Sequence, residues 1–196
     1  MTKKNTWLDV DFNGFRKVLE RKGKAFAVFE LVSNAWDTEA KNVNIRLEPV
    51  PNRPLSLLTV EDDDPTGFVD LAHGFTLFAE STKKGVADKR GRFNLGEKLV
   101  LALCESAQIE SVTGGVLFSE DGSREMLRNR KRDKGSLVTM RLRLTREEMN
   151  EISEAVATLI PPQGVTTTFN GIRLLPREPI KTFEVTLPTV LSDEEG

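Results

Sequence analysis

Residues 55–64, LSLLTVEDDD, constrain this chain more than any other segment. LSLLTVE is apolar enough for a strand in the interior of a sheet, and it runs straight into the acidic cluster EDDDPTG. Three consecutive aspartates at a strand's end repel one another, a local cost that points to use, although an acidic surface turn has the same composition. Just upstream, VNIRLEPV alternates as a strand should, and PNRP marks the turn between the two.

Around these strands the periodicity changes. NGFRKVLERK, residues 13–22, predicts a short amphipathic helix punctuated by Gly23. A longer helical pattern over residues 24–41 draws its apolar face from Phe26, Phe29, Leu31, Val32 and Trp36. FVDLAHGFTLFAE reads as a helix weakened at Gly74, and GEKLVLALCESA as a strongly apolar one. Between them STKKGVADKRGRFN is a polar, basic stretch of 14 residues, long for a structureless connection and so expected to have a function. Strand-like runs follow, separated by Gly-Gly, Asp-Gly and Lys-Gly at 114–115, 121–122 and 134–135, and they end in SLVTMRLRL, the pattern of an antiparallel meander. Thr145 and Glu148 form a capping box for a final helix that Pro161-Pro162 stops. VTTTFNGIRLL then reads as a hairpin turning at Asn170-Gly171, and TFEVTL as one more strand. The predicted class is α+β, a two-layer sandwich with helices on one face of a mostly antiparallel or mixed sheet.

A length of 196 residues fits one domain, or one domain with a short addition. The net charge of −2 supplies no global field toward nucleic acid or membrane, so any such affinity must be local. One cysteine and one histidine cannot build a dedicated His/Cys metal site within a chain, and Cys104 reads as a small buried hydrophobe. The N-terminus lacks a signal peptide's apolar stretch, and no apolar run approaches the ~18 residues of a membrane span. A cytoplasmic protein without a membrane partner is expected. The tail LSDEEG has no natural stop, as expected of a piece of a longer protein.

Three constellations carry chemistry. In FELVSNAWD, spacings of four and three put Glu30, Asn34 and Asp37 on one helical face, where they can hold a hard cation or polarise water, or simply meet solvent. In VEDDDPTGF, an aspartate at the strand's end can accept a hydrogen bond from an amine such as adenine N6, with Pro65 and Gly67 turning the chain. In GRFNLGEK, Gly91 and Gly96 permit close backbone approach ahead of a helix N-terminus. With Lys83, Lys84, Lys89, Arg90, Arg92 and Lys98 nearby, the segment reads as a polyphosphate cradle or a flexible basic loop. No Walker pattern is present.

Taken in this order, the segments resemble the boxes of the GHKL superfamily, which includes gyrase B, MutL, the MORC proteins, the large heat-shock chaperone and sensor histidine kinases. FELVSNAWD resembles its E-x-x-x-N-x-x-D box, VEDDDPTGF its D-x-G-x-G box and GRFNLGEK its G-x-x-G-x-G box. STKKG is similar to the start of its ATP lid, and KGSLVTMRL to the G-T-x-V strand that closes the adenine pocket. The resemblance covers residues 13–144. It departs from the pattern where Asp64 or Pro65 replaces the first glycine of the second box, Asn94 the middle glycine of the third, and Ser136 the usual threonine. An extra residue leaves two candidates for the adenine aspartate: counting back from Gly67 gives Asp63, counting from the strand gives Asp62. Val60 two residues earlier favours Asp62.

This resemblance implies the Bergerat, histidine kinase-like fold over residues 1–144, with a lid at about 80–95 and residues 145–196 as a C-terminal addition or the start of a second domain. It implies Glu30 as general base, Asn34 as Mg²⁺ ligand, Asp37 in the nucleotide site and Asp62 on adenine, assisted through water by Ser136. Lys83, Gly91, Phe93, Asn94, Leu95, Gly96, Glu97 and Lys98 would cradle the phosphates of ATP. Slow hydrolysis would act as a conformational timer, often through an ATP-dependent homodimer. Two other readings compete. A histidine-type protein kinase shares the fold, but the only histidine, His73, reads as a packing or surface residue. A nucleic-acid-binding or assembly module would use the stretch that begins at Arg124 and ends at Lys134, six basic residues in eleven without interleaved aromatics.

Overall fold

The computed structural model describes residues 23–68, 70–75, 100–175 and 180–183, with isolated positions 14, 17, 20 and 21 before them. Eight strands form one sheet: β1 (Asn42–Pro49), β2 (Ser56–Asp62), β3 (Ser106–Ser111), β4 (Gly114–Phe118), β5 (Arg124–Leu127), β6 (Leu137–Leu142), β7 (Thr166–Phe169) and β8 (Ile172–Arg173). Their order across the sheet is β5-β4-β3-β6-β2-β1-β7-β8. The β1–β7 pair is parallel and the other pairs are antiparallel. Two helices, α1 (Ala25–Trp36) and α2 (Arg146–Ala157), pack on each other, and α1 lies on β1 and β2. The architecture is α+β, a helix layer on a mixed sheet.

The core follows from alternation. β2 is paired on both sides, with Leu58 between Leu47 and Met140 and Val60 between Ile45 and Val138. These residues share one face with Val43 and Leu142, and α1 covers that face with Ala27, Val28, Leu31, Val32, Ala35 and Trp36. Ile152 and Val156 of α2 complete the cluster. Each fully buried aliphatic side chain contributes roughly 1.5–3 kcal/mol, so this face dominates the stability of the described fold. Phe26 and Phe29, expected on the apolar face, are only half-buried, because the inward stripe runs one position over.

Several boundaries differ from the sequence reading, each for a local reason. α1 stops at Trp36 rather than continuing to 41, since the Thr38 hydroxyl donates to Ala35 O (2.7 Å) and draws the chain off the helix. Trp36 then fastens the helix end to β7, beside β1, its indole N–H donating to the buried Thr167 hydroxyl (3.0 Å). The Gly-Gly pair at 114–115 is not the turn. The chain turns at residues 112–113, and both glycines lie in β4, where a Cβ on Gly115 would sit 2.9 Å from Ile109 O. Residues 71–74 form only a 3-10 turn, capped by the Asp70 carboxylate on Ala72 N–H (2.8 Å), and the remainder of that expected helix lies outside the described residues. The helix read over GEKLVLALCESA yields to strand at Ser106, where β3 pairs with β6.

α2 begins with the expected capping box, Glu148 N–H donating to the Thr145 hydroxyl and Thr145 N–H to the Glu148 carboxylate. It closes four residues before Pro161 as the Thr158 hydroxyl donates to Ala155 O (2.7 Å). The Asn170-Gly171 hairpin forms with both residues at positive φ (47° and 82°), as a tight two-residue hairpin turn requires. Residues 145–175 do not stand apart from the preceding part: α2 shares its helix layer and β7–β8 extend its sheet. TFEVTL lies mostly outside the described residues. No helix among the described residues is long and apolar enough to cross a membrane.

Replacing Trp36 by Phe leaves the buried Thr167 hydroxyl without its donor, and urea denaturation is expected to show a loss of about 1–3 kcal/mol. Adding Thr167→Val should restore part of that loss, because no orphaned hydroxyl then remains.

Candidate functional site

The same alternation that builds the core also builds a polar notch at one end of it. β2 turns Ser56, Leu58, Val60 and Asp62 toward the helices. β3 turns Ala107, Ile109 and Ser111 the same way, and Ser136 stands in phase with Met140 and Leu142 at the start of β6. Glu61 pairs with Leu137, and Leu137 with Glu110, so the next positions, Asp62, Ser136 and Ser111, fall side by side across three strands. Three apolar rows thus end in a carboxylate and two hydroxyls, at 8%, 5% and 0% exposure.

Hydrogen bonds fix this row. Asp62 N–H donates to Ser136 O (3.0 Å), and Ser136 N–H returns a bond to Asp62 Oδ1 (3.2 Å). Asp64 N–H also donates to Oδ1 (3.0 Å), while among the described residues nothing donates to Oδ2. Gly135 N–H donates to Asp64 O (2.7 Å). Gly135 has φ +70°, and a Cβ there would run into the Asp62 carbonyl, so only glycine lets this loop lie against the strand end. The acidic turn is held from within, the Asp64 carboxylate accepting from Thr66 N–H and hydroxyl (3.1 Å each). Gly67 follows at φ +55°, where a Cβ would collide with Ser111 Oγ. Ser111 Oγ accepts from Phe68 N–H (2.6 Å) and lies 3.4 Å from Ser136 Oγ.

Asp62 and Asp63 face opposite ways and meet opposite environments. Burial pushes the Asp62 carboxyl up to about 6, outweighing its two backbone N–H bonds, and the neighbouring Asp64 charge adds to the rise. Asp63 is desolvated too, but its hydrogen bonds win and hold it down to about 2. Its Oδ1 accepts from Lys41 N–H and Asn42 N–H (2.8 Å each), and its Oδ2 from Asn42 Nδ2 (2.9 Å) and Lys134 Nζ (3.4 Å). Asp63 is therefore occupied in anchoring the start of β1. Asp62 is buried, raised to about 6, and carries one oxygen to which nothing among the described residues donates.

A family model described as "Histidine kinase-, DNA gyrase B-, and HSP90-like ATPase" matches residues 23–157. The chain belongs to this ATPase family. Its fold matches a solved structure, the ATPase region of Saccharomyces cerevisiae topoisomerase II bound to ICRF-187 (dexrazoxane), with a TM-score of 0.58 over 79% of this chain. The two are 15% identical in sequence, so the likeness is one of fold alone, and the chain spans about half (49%) of that structure's length. No curated protein matches the sequence. Membership in the family supports ATP binding, and the described fold is that of its ATP-binding domains.

Within this ATPase fold the remaining predicted residues distribute unevenly. Glu30 and Asn34 lie half-buried on α1, which crosses β1 and β2, and Asp37 is buried just past the helix end. Each of the three makes interactions of its own. Lys83, Gly91, Phe93, Asn94, Leu95, Gly96, Glu97 and Lys98, with the lid read at 80–95, lie outside the described residues. His73 falls in the 3-10 turn. Half of the basic stretch ending at Lys134 is spent within the protein: Arg130 pairs with Glu110 (3.6 Å), Arg132 with Glu61, and Lys134 with Asp63 (3.4 Å). Sequence reasoning missed Ser111, and it had Gly135 only as a turn residue and as the glycine of KGSLVTMRL. Ser111 carries no motif, and only its phase with Ala107 and Ile109 marks it.

The Asp62 carboxyl titrates higher in the fold than its ordinary 3.8. Its contribution to stability is therefore fully present below pH 3.8 and is lost as pH rises through about 6, a swing on the order of 3 kcal/mol. The Asp62→Asn variant, neutral throughout, is expected to be more stable than the parent at pH 8 in denaturant titrations without nucleotide. The gap should close below pH 4. A constant gap would remove Asp62 as its source.

Proposed function

We propose that the chain binds Mg²⁺·ATP with the Asp62 carboxylate on the adenine amine, and hydrolyses it slowly to drive a conformational change or dimerisation. The observation that carries this reading is the row Asp62–Ser136–Ser111: a polar notch sunk in the helix-facing side of the sheet, with Asp62 Oδ2 unclaimed among the described residues. An acceptor oxygen that no described residue claims suits a ligand that brings an N–H. Adenine N6 brings one. Ser136 assists at the same edge of the base.

The remaining roles rest on the family pattern. Glu30 would act as general base toward the water that attacks the γ-phosphate, and Asn34 would ligate Mg²⁺ through its amide oxygen. An amide oxygen is a hard donor suited to magnesium, and among the described residues no cluster of three carboxylate, histidine or cysteine groups competes for the ion. A magnesium ion held by Asn34 would supply positive charge against the phosphates of ATP. Asp37 would support the helix end beside this pair, and the segment carrying Lys83, Gly91 and residues 93–98 would cradle the phosphates. A cytoplasmic location accords with ATP as the ligand. Nucleic acid contact through Arg124 to Lys134 is the weaker reading, since Arg130, Arg132 and Lys134 already face carboxylates.

Calorimetry with a non-hydrolysable adenine nucleotide and Mg²⁺ tests the proposal: heat of association is expected, and none at millimolar ligand would sink it. Asp62→Asn should weaken nucleotide binding at least tenfold, whereas Asp63→Asn should retain it and instead lower stability, having lost the anchor on residues 41–42. In a phosphate-release assay Glu30→Ala should abolish turnover while binding persists. Parental turnover by that variant would displace Glu30 as the base.

A further inference from the structure

Six large apolar side chains are exposed among the described residues, and four of them, Ile172, Leu175, Ile180 and Phe183, fall within twelve positions of one another. Scattered exposure of single residues is ordinary, but a concentration of this kind marks a surface that a partner covers. Ile172 belongs to β8, the last strand in the sheet order, which among the described residues pairs with β7 alone. Its outer edge is a row of backbone groups that another strand can take up.

The chemistry of that strand follows from the register. Leu174 N–H donates to Thr167 O (2.9 Å), so by the alternation of an antiparallel ladder the N–H and C=O of Arg173 point away from β7. Arg173 stands opposite Thr168, whose hydroxyl donates to Asn44 Oδ1 on the face away from the helices, whereas Leu174 packs on the core at the helix side. The edge thus reads apolar, basic, apolar along Ile172, Arg173 and Leu174. A second β8 paired there through Arg173 would set two guanidinium groups against each other, a destabilising match. The complementary strand reads apolar, acidic, apolar.

Residues 183–185 of this chain, Phe-Glu-Val within the strand-like TFEVTL, have that order. With Glu184 opposite Arg173, Phe183 and Val185 fall beside Ile172 and Leu174 on the helix side. Within one chain the segment is carried away from β8. Phe183 is 71% exposed outside the sheet, its ring centroid 4.9 Å from Lys181 Nζ. Pro176 and Pro179 in the connection fix φ and favour extended backbone at the residues before them, against the reversal that an internal hairpin needs. We propose that residues 182–187 of one copy add as a strand to the β8 edge of a second copy, reciprocally, in a two-fold dimer. The exchange satisfies both edges and closes, so it does not propagate. β1 and β7 separate this edge from β2 and Asp62, so the dimer forms without nucleotide.

Sedimentation equilibrium of the full chain without nucleotide tests this. The parent is expected to be dimeric at high micromolar concentration, and Arg173→Glu and Glu184→Arg should each weaken association about tenfold or more by facing like charges. Mixed in equal amounts, the two variants should recover the parental dimer, because every junction then joins opposite charges again. A monomeric parent, or variants that associate like the parent, would overturn the proposal. So would a mixture that stays monomeric, which places the segment on its own chain's edge. Should either reversal fail to fold by circular dichroism, Arg173→Cys mixed with Glu184→Cys under oxidising conditions decides: a disulfide between chains is expected, and its absence overturns the proposal. ATP binding by the parent does not enter, so this inference and the nucleotide reading fail separately.

Discussion

The two-way hydrogen bonding between Asp62 and Ser136 is the constraint on which the rest of the site depends. One bond joins the backbones, and its return is taken by the aspartate's own side chain, so the strand end and the loop before β6 are locked in a single register. A slip of one residue would send Asp62 to the opposite face and bring Glu61 or Asp63 into an apolar core. Nothing in that core could pair with them. The register is thus enforced twice, by the hydrogen bonds themselves and by the cost of the alternative.

The run of four acidic residues beginning at Glu61 is stable because each carboxylate meets a different environment. Glu61 faces the Arg132 guanidinium, Asp63 collects N–H groups from the start of β1, and Asp64 folds back on Thr66. Asp62 and Asp64 are both buried, and at Asp62, which no cation among the described residues touches, desolvation is the largest influence on its titration. The Asp64 charge still adds to the rise at Asp62, so the repulsion is reduced rather than removed. A surface ion pair such as Lys134–Asp63 is worth at most about 1 kcal/mol, so these contacts matter for direction more than for stability. They also tie the basic loop to both sides of the notch, which leaves that loop fewer free charges than its composition promises.

The sequence by itself determined the strands and turns wherever period and turn chemistry agreed. β1, β2, the capping box of α2 and the Asn170-Gly171 hairpin were all legible, since each depends on residues close together in the chain. It also determined the family, because the order of several short boxes survives even where single glycines are replaced. Helix ends were less legible: Thr38 and Thr158 close their helices with hydroxyl bonds to carbonyls that no periodicity anticipates. The resemblance had already put Asp62 and Ser136 at one site, and only tertiary structure added Ser111 beside them. Ser111, Ser136 and Asp62 are separated by up to 74 positions, and only the β3–β6–β2 register, itself set by which apolar faces must be buried together, brings them into one row. A side chain's partners across a sheet follow from strand order, and strand order is a property of the folded whole.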